Sequence, residues 1–240
     1  MEKHCVIGDI HGEYYMLLDL VARLPKDAKL IFVGDLVNRG LWSHEVVKFV
    51  REKAFATVLG NHEFYLLKNA NMLISSIKRG YRYPVSHTWL DRNCSATFRS
   101  YGLLKEDSFE VIKDFNALDR LKDDIDWLLS QPLYIEMGEI DGYNLPVVIS
   151  HGSIGDFWHL RGDSEAFRLH MFNRSEPSSQ SPIFNIHGHK TVEELVAGDN
   201  FINLDTGCGK RENGKLTAYC IETGEIFETE RFEYVEDMVA

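Results

Sequence analysis

The sequence predicts an α/β fold, with a mainly parallel sheet built by the front of the chain and an antiparallel or mixed arrangement behind it. Three observations carry this. Short apolar runs ending at glycine alternate with helix-period segments as far as Ile77, the signature of βαβ units. From Leu133 onward the apolar runs follow one another, with turn residues between several of them. A chain of 240 residues, 44% of them hydrophobic, has apolar material for one sizeable core.

Taken in order, "HCVIG" (4–8) reads as a buried strand, and 13–24 as an amphipathic helix stopped by Pro25. Residues 29–34 are a second strand, 43–54 a helix with Ser43 as its N-cap, 55–60 a third strand and 62–77 a third helix. The stretch 78–131 is polar and helical in pattern, clearest over 108–131, and reads as a helical insertion. Strands return at 133–140 and 145–152 around the turn "DGYN", then at 182–190 and 200–209 after the loop "EPSSQSP". Residues 215–228 form a hairpin turning at Thr223-Gly224. Gly12, Gly40 and Gly207 serve turns with positive φ or close backbone approach. With no repeat, no low-complexity tract and no long linker, residues 1–240 read as a single domain.

A net charge of −11 excludes a general nucleic-acid binder, because a phosphate backbone demands a positive footprint. It leaves room for small phosphorylated ligands, whose charge a few metals and arginines can meet. Acidic residues crowd 222–237 against Arg231 alone, so 222–240 reads as a solvated edge or tail. The four cysteines are scattered and read as reduced core thiols. No run of about 18 apolar residues occurs, and "MEKHCVIGDIHG" lacks a signal pattern. The expectation is a cytoplasmic protein with no membrane partner.

Chemistry gathers at the strand ends. Gly8-Asp9-Ile10-His11, Gly34-Asp35, Gly60-Asn61-His62, Ser150-His151 and Gly188-His189 each put a metal-competent side chain just past an apolar run. Singly, such an aspartate is more often a cap and such a histidine a satisfied core or surface residue. Five in order point to one crevice outside the strand ends. The mixed nitrogen and oxygen set suits Mn²⁺, Fe or Zn²⁺ rather than Ca²⁺ or Mg²⁺. Two divalent ions about 3.5–4 Å apart would clamp an in-line displacement at phosphorus. Asp35 would bridge them, and Arg39 would hold phosphate oxygens in its planar fork.

The blocks "GDIHG", "GDLVNRG", "GNHE", "SHG" and "HGHK" resemble, in order and spacing, those of the calcineurin-like metallophosphoesterases. Within these the chain is similar to the phosphoprotein phosphatase branch, which includes bacteriophage lambda-type protein phosphatases and symmetrical diadenosine tetraphosphatases. The blocks run from Gly8 to Gly207; the 78–131 insertion and the tail are covered weakly. The resemblance implies a four-layer α/β/β/α metallophosphatase sandwich with mixed sheets and a dinuclear site at the strand ends. It implies that Asp9, His11 and Asp35 bind one metal, manganese first, and that Asp35, Asn61, His151 and His189 bind the other. His62 would protonate the leaving group while a metal-bridging hydroxide attacks. Arg39 would clamp the phosphoryl group, with Arg174 of "MFNRS" as second clamp although Phe172 stands where the family has tryptophan. His189 rather than His187 matches the family's ligand, and Thr191 stands where many wider members add a histidine.

Asn38 departs from the branch, whose protein phosphatases carry there the aspartate that orients and charges the catalytic histidine. An amide can accept the ring N–H but supplies no charge, at a cost of about 1 kcal/mol, or roughly fivefold to tenfold in rate. That tilts towards a good leaving group. Glu63, the short interval from His151 to His189 and "SATFRSYG" tilt back towards small protein phosphatases. The order of expectation is a serine/threonine or dual-specificity protein phosphatase acting on a phosphorylated protein, then a symmetrical bis(5'-nucleosyl)-tetraphosphatase acting on a nucleotide polyphosphate, then a low-activity metal-binding scaffold. "IKRGYRY" (77–83) and "RGD" (161–163) read as exposed loop and chance, and Trp89, Trp127 and Trp158 as packing.

Overall fold

The computed structural model describes residues 2–84, 94–106 and 108–230. The front of the chain runs β1 (His4–Ile7), α1 (Tyr14–Arg23), β2 (Lys29–Phe32), α2 (Ser43–Lys53), β3 (Ala56–Thr57) and α3 (Asn61–Lys78). Helices α4 (Ser95–Ser100) and α5 (Phe115–Leu129) follow. Then come β4 (Tyr134–Gly138), β5 (Val147–Ser150), a 3-10 helix (Gly155–Leu160), α6 (Ser164–Arg168), β6 (Phe184–His187), β7 (Val196–Ala197), β8 (Phe201–Asn203), β9 (Lys215–Cys220) and β10 (Ile226–Glu230).

Two five-stranded mixed sheets result, ordered β10-β9-β1-β2-β3 and β4-β5-β6-β8-β7. Strands β1, β2 and β3 are parallel, as are β5, β6 and β8. Side chains alternate across each strand, so one sequence feeds two layers. In β1, Cys5 and Ile7 face the helices α1, α2, α3 and α5, while Val6 joins Ile31, Val33 and Val58 against Val147, Ile149, Ile186 and Ile202 of the other sheet. On the far side, Val148 packs under Ile154, Trp158 and Phe167. This is the expected four-layer sandwich, with its second helical layer reduced to the 3-10 helix and α6.

Several expectations are corrected. The C-terminal hairpin joins the front sheet, because β9 pairs antiparallel with β1, Cys5 opposite Cys220. The back sheet is mixed, as expected, with β5, β6 and β8 parallel at its centre and β4 and β7 antiparallel at its edges. Ser43 lies inside α2 with Trp42 as N-cap, and its Oγ accepts from Asn38 N at 3.2 Å instead of capping. In the insertion, helix spans only 115–129 of 108–131; Val111 instead bridges Leu104. The reading of four reduced thiols fails for two: Cys5 and Cys220 are joined in a disulfide, while Cys94 and Cys208 are free and buried. Reduced thiols therefore no longer support a reducing compartment.

The remaining segments meet their structural readings. Gly12 (φ 72°) and Gly207 (φ 91°) take left-handed backbone, which glycine adopts at no steric cost. Arg82 of "IKRGYRY" pairs with Glu110, and Asp163 of "RGD" caps α6. Trp158 is buried, and Trp127 packs against the helix-side core. Trp89 and the tail from 231 onward lie outside the described residues. Among those described, no helix is long and apolar enough to cross a membrane.

Candidate metal centre

Strands that run parallel end on one side, and packing the two sheets brings the ends of β1, β2, β3, β5 and β6 to one crevice. The backbone there is unusual. Among the described residues, five that are not glycine have positive φ: His11 (51°), Asp35 (51°), Asn38 (72°), Arg39 (74°) and His189 (68°). All five are sequence-predicted site residues. Left-handed backbone costs a residue with a Cβ roughly 1–2 kcal/mol, and such strain persists where surrounding structure holds it, typically at functional sites. Close approach is built in as well: a side chain at Gly188 would strike Asp9 Oδ1.

Lone pairs converge at this crevice. His151 directs Nδ1 at Val33 O, 2.8 Å away, so Nδ1 carries the proton and Nε2 offers its lone pair. Around that Nε2 stand Asn61 Oδ1 at 3.1 Å, His189 Nδ1 at 3.1 Å and Asp35 Oδ1 at 3.3 Å. On the other side of Asp35, His11 Nδ1 faces Val37 O at 3.1 Å, and the buried Nε2 has no hydrogen-bond partner. It lies 3.6 Å from Asp35 Oδ2 and 3.8 Å from Asp9 Oδ2. Two groups of potential ligands, Asp35/His151/His189 and His11/Asp35/His62, therefore share Asp35.

The electrostatics suit a cation. Burial pushes His11 well below its ordinary range, and burial with the neighbouring His151 takes His189 down to about 3, so both are neutral and ligand-ready. Burial alone would raise the Asp35 carboxyl, but His151, His62 and His11 outweigh it and hold it well below the usual range. Burial would lower His151, yet Asp35 and Asp9 raise it: a positive charge is stabilised where the four donor atoms meet.

His62 is held differently. Its backbone N–H donates to Asp35 Oδ1 at 2.9 Å, its Nε2 lies 3.9 Å from Asp35 Oδ2, and its Nδ1 lies 3.1 Å from Asn38 Nδ2. Asn38 Oδ1 in turn accepts the Thr97 hydroxyl at 3.0 Å. The expected sense is thus reversed, since the amide donates to the ring instead of accepting from it. Burial lowers His62, and Arg39 adds to this against the pull of Asp35.

Residues 3–193 match the family model described as calcineurin-like phosphoesterase. The chain belongs to the calcineurin-like phosphoesterases. It is 25% identical to the serine/threonine-protein phosphatase 2 of Escherichia coli K12 over 90% of this chain and 92% of that one. It is 30% identical to a symmetrical bis(5'-nucleosyl)-tetraphosphatase of Marinomonas sp. MWYL1 over 88% of this chain and 68% of the relative. Against the tetraphosphatase of Methylococcus capsulatus it reaches 48%, over 25% of this chain and only 24% of the relative's length. In structure it resembles the cold-active protein-tyrosine phosphatase of a Shewanella species, with a TM-score of 0.54 at 18% identity over 96% of this chain and 80% of that one. That likeness carries the fold alone.

As a calcineurin-like phosphoesterase the chain is an enzyme of a metal-dependent hydrolase family, and its residues can be tested against two divalent ions. Asp35, Asn61, His151 and His189 fit one, because their donor atoms already face one another. His11 and Asp35 fit the other, while Asp9 is shared: its Oδ1 accepts from His189 N at 3.1 Å and its Oδ2 from Lys210 Nζ at 3.0 Å. Burial would lower the Lys210 ammonium, but Asp9 and Asp205 outweigh it and push it up. His187 stays out of both groups. It is buried beside Phe201 with Nδ1 on Gly188 O, and burial takes it down to about 4.

A cleft of about 270 Å³ opens over Asp35, Asn61, His62 and His189, and Arg39, Arg174, Lys210 and Arg211 line it. Arg174 Nε donates to His189 Nε2 at 3.1 Å, and Phe172 packs edge-on against His151. Glu63 accepts from the backbone N–H groups of Asp35, Leu36 and Gly60 at 3.1, 2.9 and 2.9 Å. It positions the Asp35 turn and does not face the cleft. Sequence reasoning missed Thr97, Asp205 and Lys210. Asp205 was within reach, since it follows the apolar run of β8 as Asp9 and Asp35 follow theirs; Lys210 carries no such signal.

Proposed function

We propose that the protein hydrolyses phosphate compounds with good leaving groups, nucleoside polyphosphates first among them. The observation that carries this is the contact between Asn38 Nδ2 and His62 Nδ1. An amide nitrogen can only donate, so Nδ1 must keep its lone pair and the ring stays neutral with its proton on Nε2. A neutral imidazole is a weak acid. It serves a nucleotide phosphate that leaves as a stable anion, and serves poorly a serine alkoxide that needs a proton as it departs. Three arginines around a 270 Å³ cleft, Arg39, Arg174 and Arg211, support the same reading, being more than a single phosphoryl group requires.

Two divalent ions, manganese first with iron or zinc as alternatives, would lie at Asp9/His11/Asp35 and at Asp35/Asn61/His151/His189. When bound they supply Lewis acidity and nucleophile activation at neutral pH. The chain's own residues do the rest. Arg39 and Arg174 orient the phosphoryl oxygens, Asn38 fixes the ring of His62, and His62 Nε2–H is offered to the leaving oxygen.

A serine/threonine protein phosphatase is the second reading, favoured by the match to the Escherichia coli phosphatase over nearly the whole of both chains. The manganese-loaded protein discriminates. The proposal expects kcat/KM for diadenosine tetraphosphate to exceed that for a phosphoserine peptide, with chelated protein as the blank. A preference for the peptide rejects it in favour of the second reading.

A further inference from the structure

Lys210 engages a carboxylate of the candidate metal centre. Its ammonium lies 3.0 Å from Asp9 Oδ2 and 2.6 Å from Asp205 Oδ2, between two buried carboxylates, with its own side chain 12% exposed. The backbone puts it there. Gly207 (φ 91°) and Gly209 (φ 64°) turn the chain after β8, Lys210 N closes the turn on Gly207 O at 2.9 Å, and Gly209 packs so tightly on His11 that an added Cβ would lie 2.8 Å from its side chain. Asp205 is fixed as well, since Oδ2 accepts Thr191 Oγ1 and Oδ1 accepts Gly207 N.

Asp9 has one oxygen to give. Oδ1 accepts from His189 N, whereas Oδ2 is the atom nearer His11 Nε2, whose buried lone pair is otherwise unmet. The oxygen nearer to an ion shared with His11 is thus Oδ2, the same atom that Lys210 holds. The other donor set has no such rival among the described residues: none of Asp35 Oδ1, Asn61 Oδ1, His151 Nε2 and His189 Nδ1 is hydrogen-bonded or ion-paired to a lysine there, and Arg174 engages the far nitrogen of His189.

We propose that Lys210 is a built-in competitor for the ion at Asp9 and His11, so that the two ions of the centre bind in order and with unequal affinity. The Asp35–Asn61–His151–His189 ion binds first and tightly. The Asp9–His11–Asp35 ion binds weakly, because the ammonium already engages Asp9 Oδ2 and repels a second cation there while Asp205 keeps hold of it. The occupancy of the centre, and with it the activity, then follows the available metal concentration. This rests on the metal-centre reading above but not on the choice of substrate.

The test is calorimetric titration of Mn²⁺ into metal-stripped protein without substrate, with bound metal counted by elemental analysis. The wild type is expected to show a tight step and a separate weak one. In Lys210→Met the weak step should tighten roughly tenfold or more, the worth of a charge-assisted contact, and the tight step should stay put. Lys210→Gln, which keeps a donor for Asp205 without the charge, should tighten it too and guards against a variant that fails to fold. Two equal sites in the wild type, or a weak step unmoved in both variants, overturns the inference. No binding in any of the proteins overturns the metal-centre reading along with it.

Discussion

Asn38 and Thr97 are 59 positions apart, yet the Thr97 hydroxyl donates to Asn38 Oδ1 at 3.0 Å and so decides which face of the amide His62 meets. With Oδ1 taken, only Nδ2 is left for His62 Nδ1. Thr97→Val removes that donor at nearly constant volume. It leaves buried polar atoms of Asn38 unmet and should cost about 1–3 kcal/mol in urea unfolding. It also frees the amide to turn and accept a ring N–H, so His62 should then keep its proton to higher pH, seen as an upward move of the alkaline limb in the pH–rate profile for a phosphoserine peptide.

Glu63 grips three backbone amides from one carboxylate, and a glutamine has a single acceptor oxygen for them. Glu63→Gln should therefore lower stability by about 1–3 kcal/mol and loosen the Asp35 turn, with thermal melting as the measurement. Burial, then the nearby Asp35 carboxylate, raises the Glu63 carboxyl to about 7 from its ordinary 4.5. A folded value above the unfolded one means that the native state keeps a proton the unfolded chain has lost. The contribution of this group is thus fully present below about 4.5 and is lost as pH rises towards 7. Replacing it by glutamine should flatten that part of the stability–pH curve.

The Cys5–Cys220 bond ties the first strand to the C-terminal hairpin across a separation of 215 residues. A crosslink closing so long a loop restricts the unfolded chain, and its reduction should cost about 2–4 kcal/mol. Unfolding followed in urea with and without a phosphine reductant measures this. Equal midpoints would mean that the hairpin holds β1 through its ladder alone.

The strands and the crevice were legible because the chain repeats one device: an apolar run, a small residue, then a ligand. Asp9, Asp35, Asn61, His151 and His189 could be read from that pattern, and the packed sheets bring them together. What the pattern could not carry is non-local. Nothing near Cys5 announces Cys220, and the hairpin joins the front sheet through a pairing that spans nearly the whole chain. Asn38 was visible as a departure, but its orientation depends on a threonine inside the insertion. Lys210 lies five residues beyond Asp205, on a turn made by two glycines, and its aim at Asp9 follows from packing against His11.

Asn38, by donating to His62 Nδ1, would keep the ring neutral and set the site for good leaving groups. The most direct measurement is kcat/KM of wild type and Asn38→Asp, both fully loaded with manganese, on a phosphoserine peptide and on diadenosine tetraphosphate. A carboxylate at position 38 would accept the ring N–H and favour the imidazolium. Asn38→Asp should raise kcat/KM roughly fivefold to tenfold on the peptide with little change on the dinucleotide. Equal changes on both substrates, or a fall on the peptide alone, would contradict it.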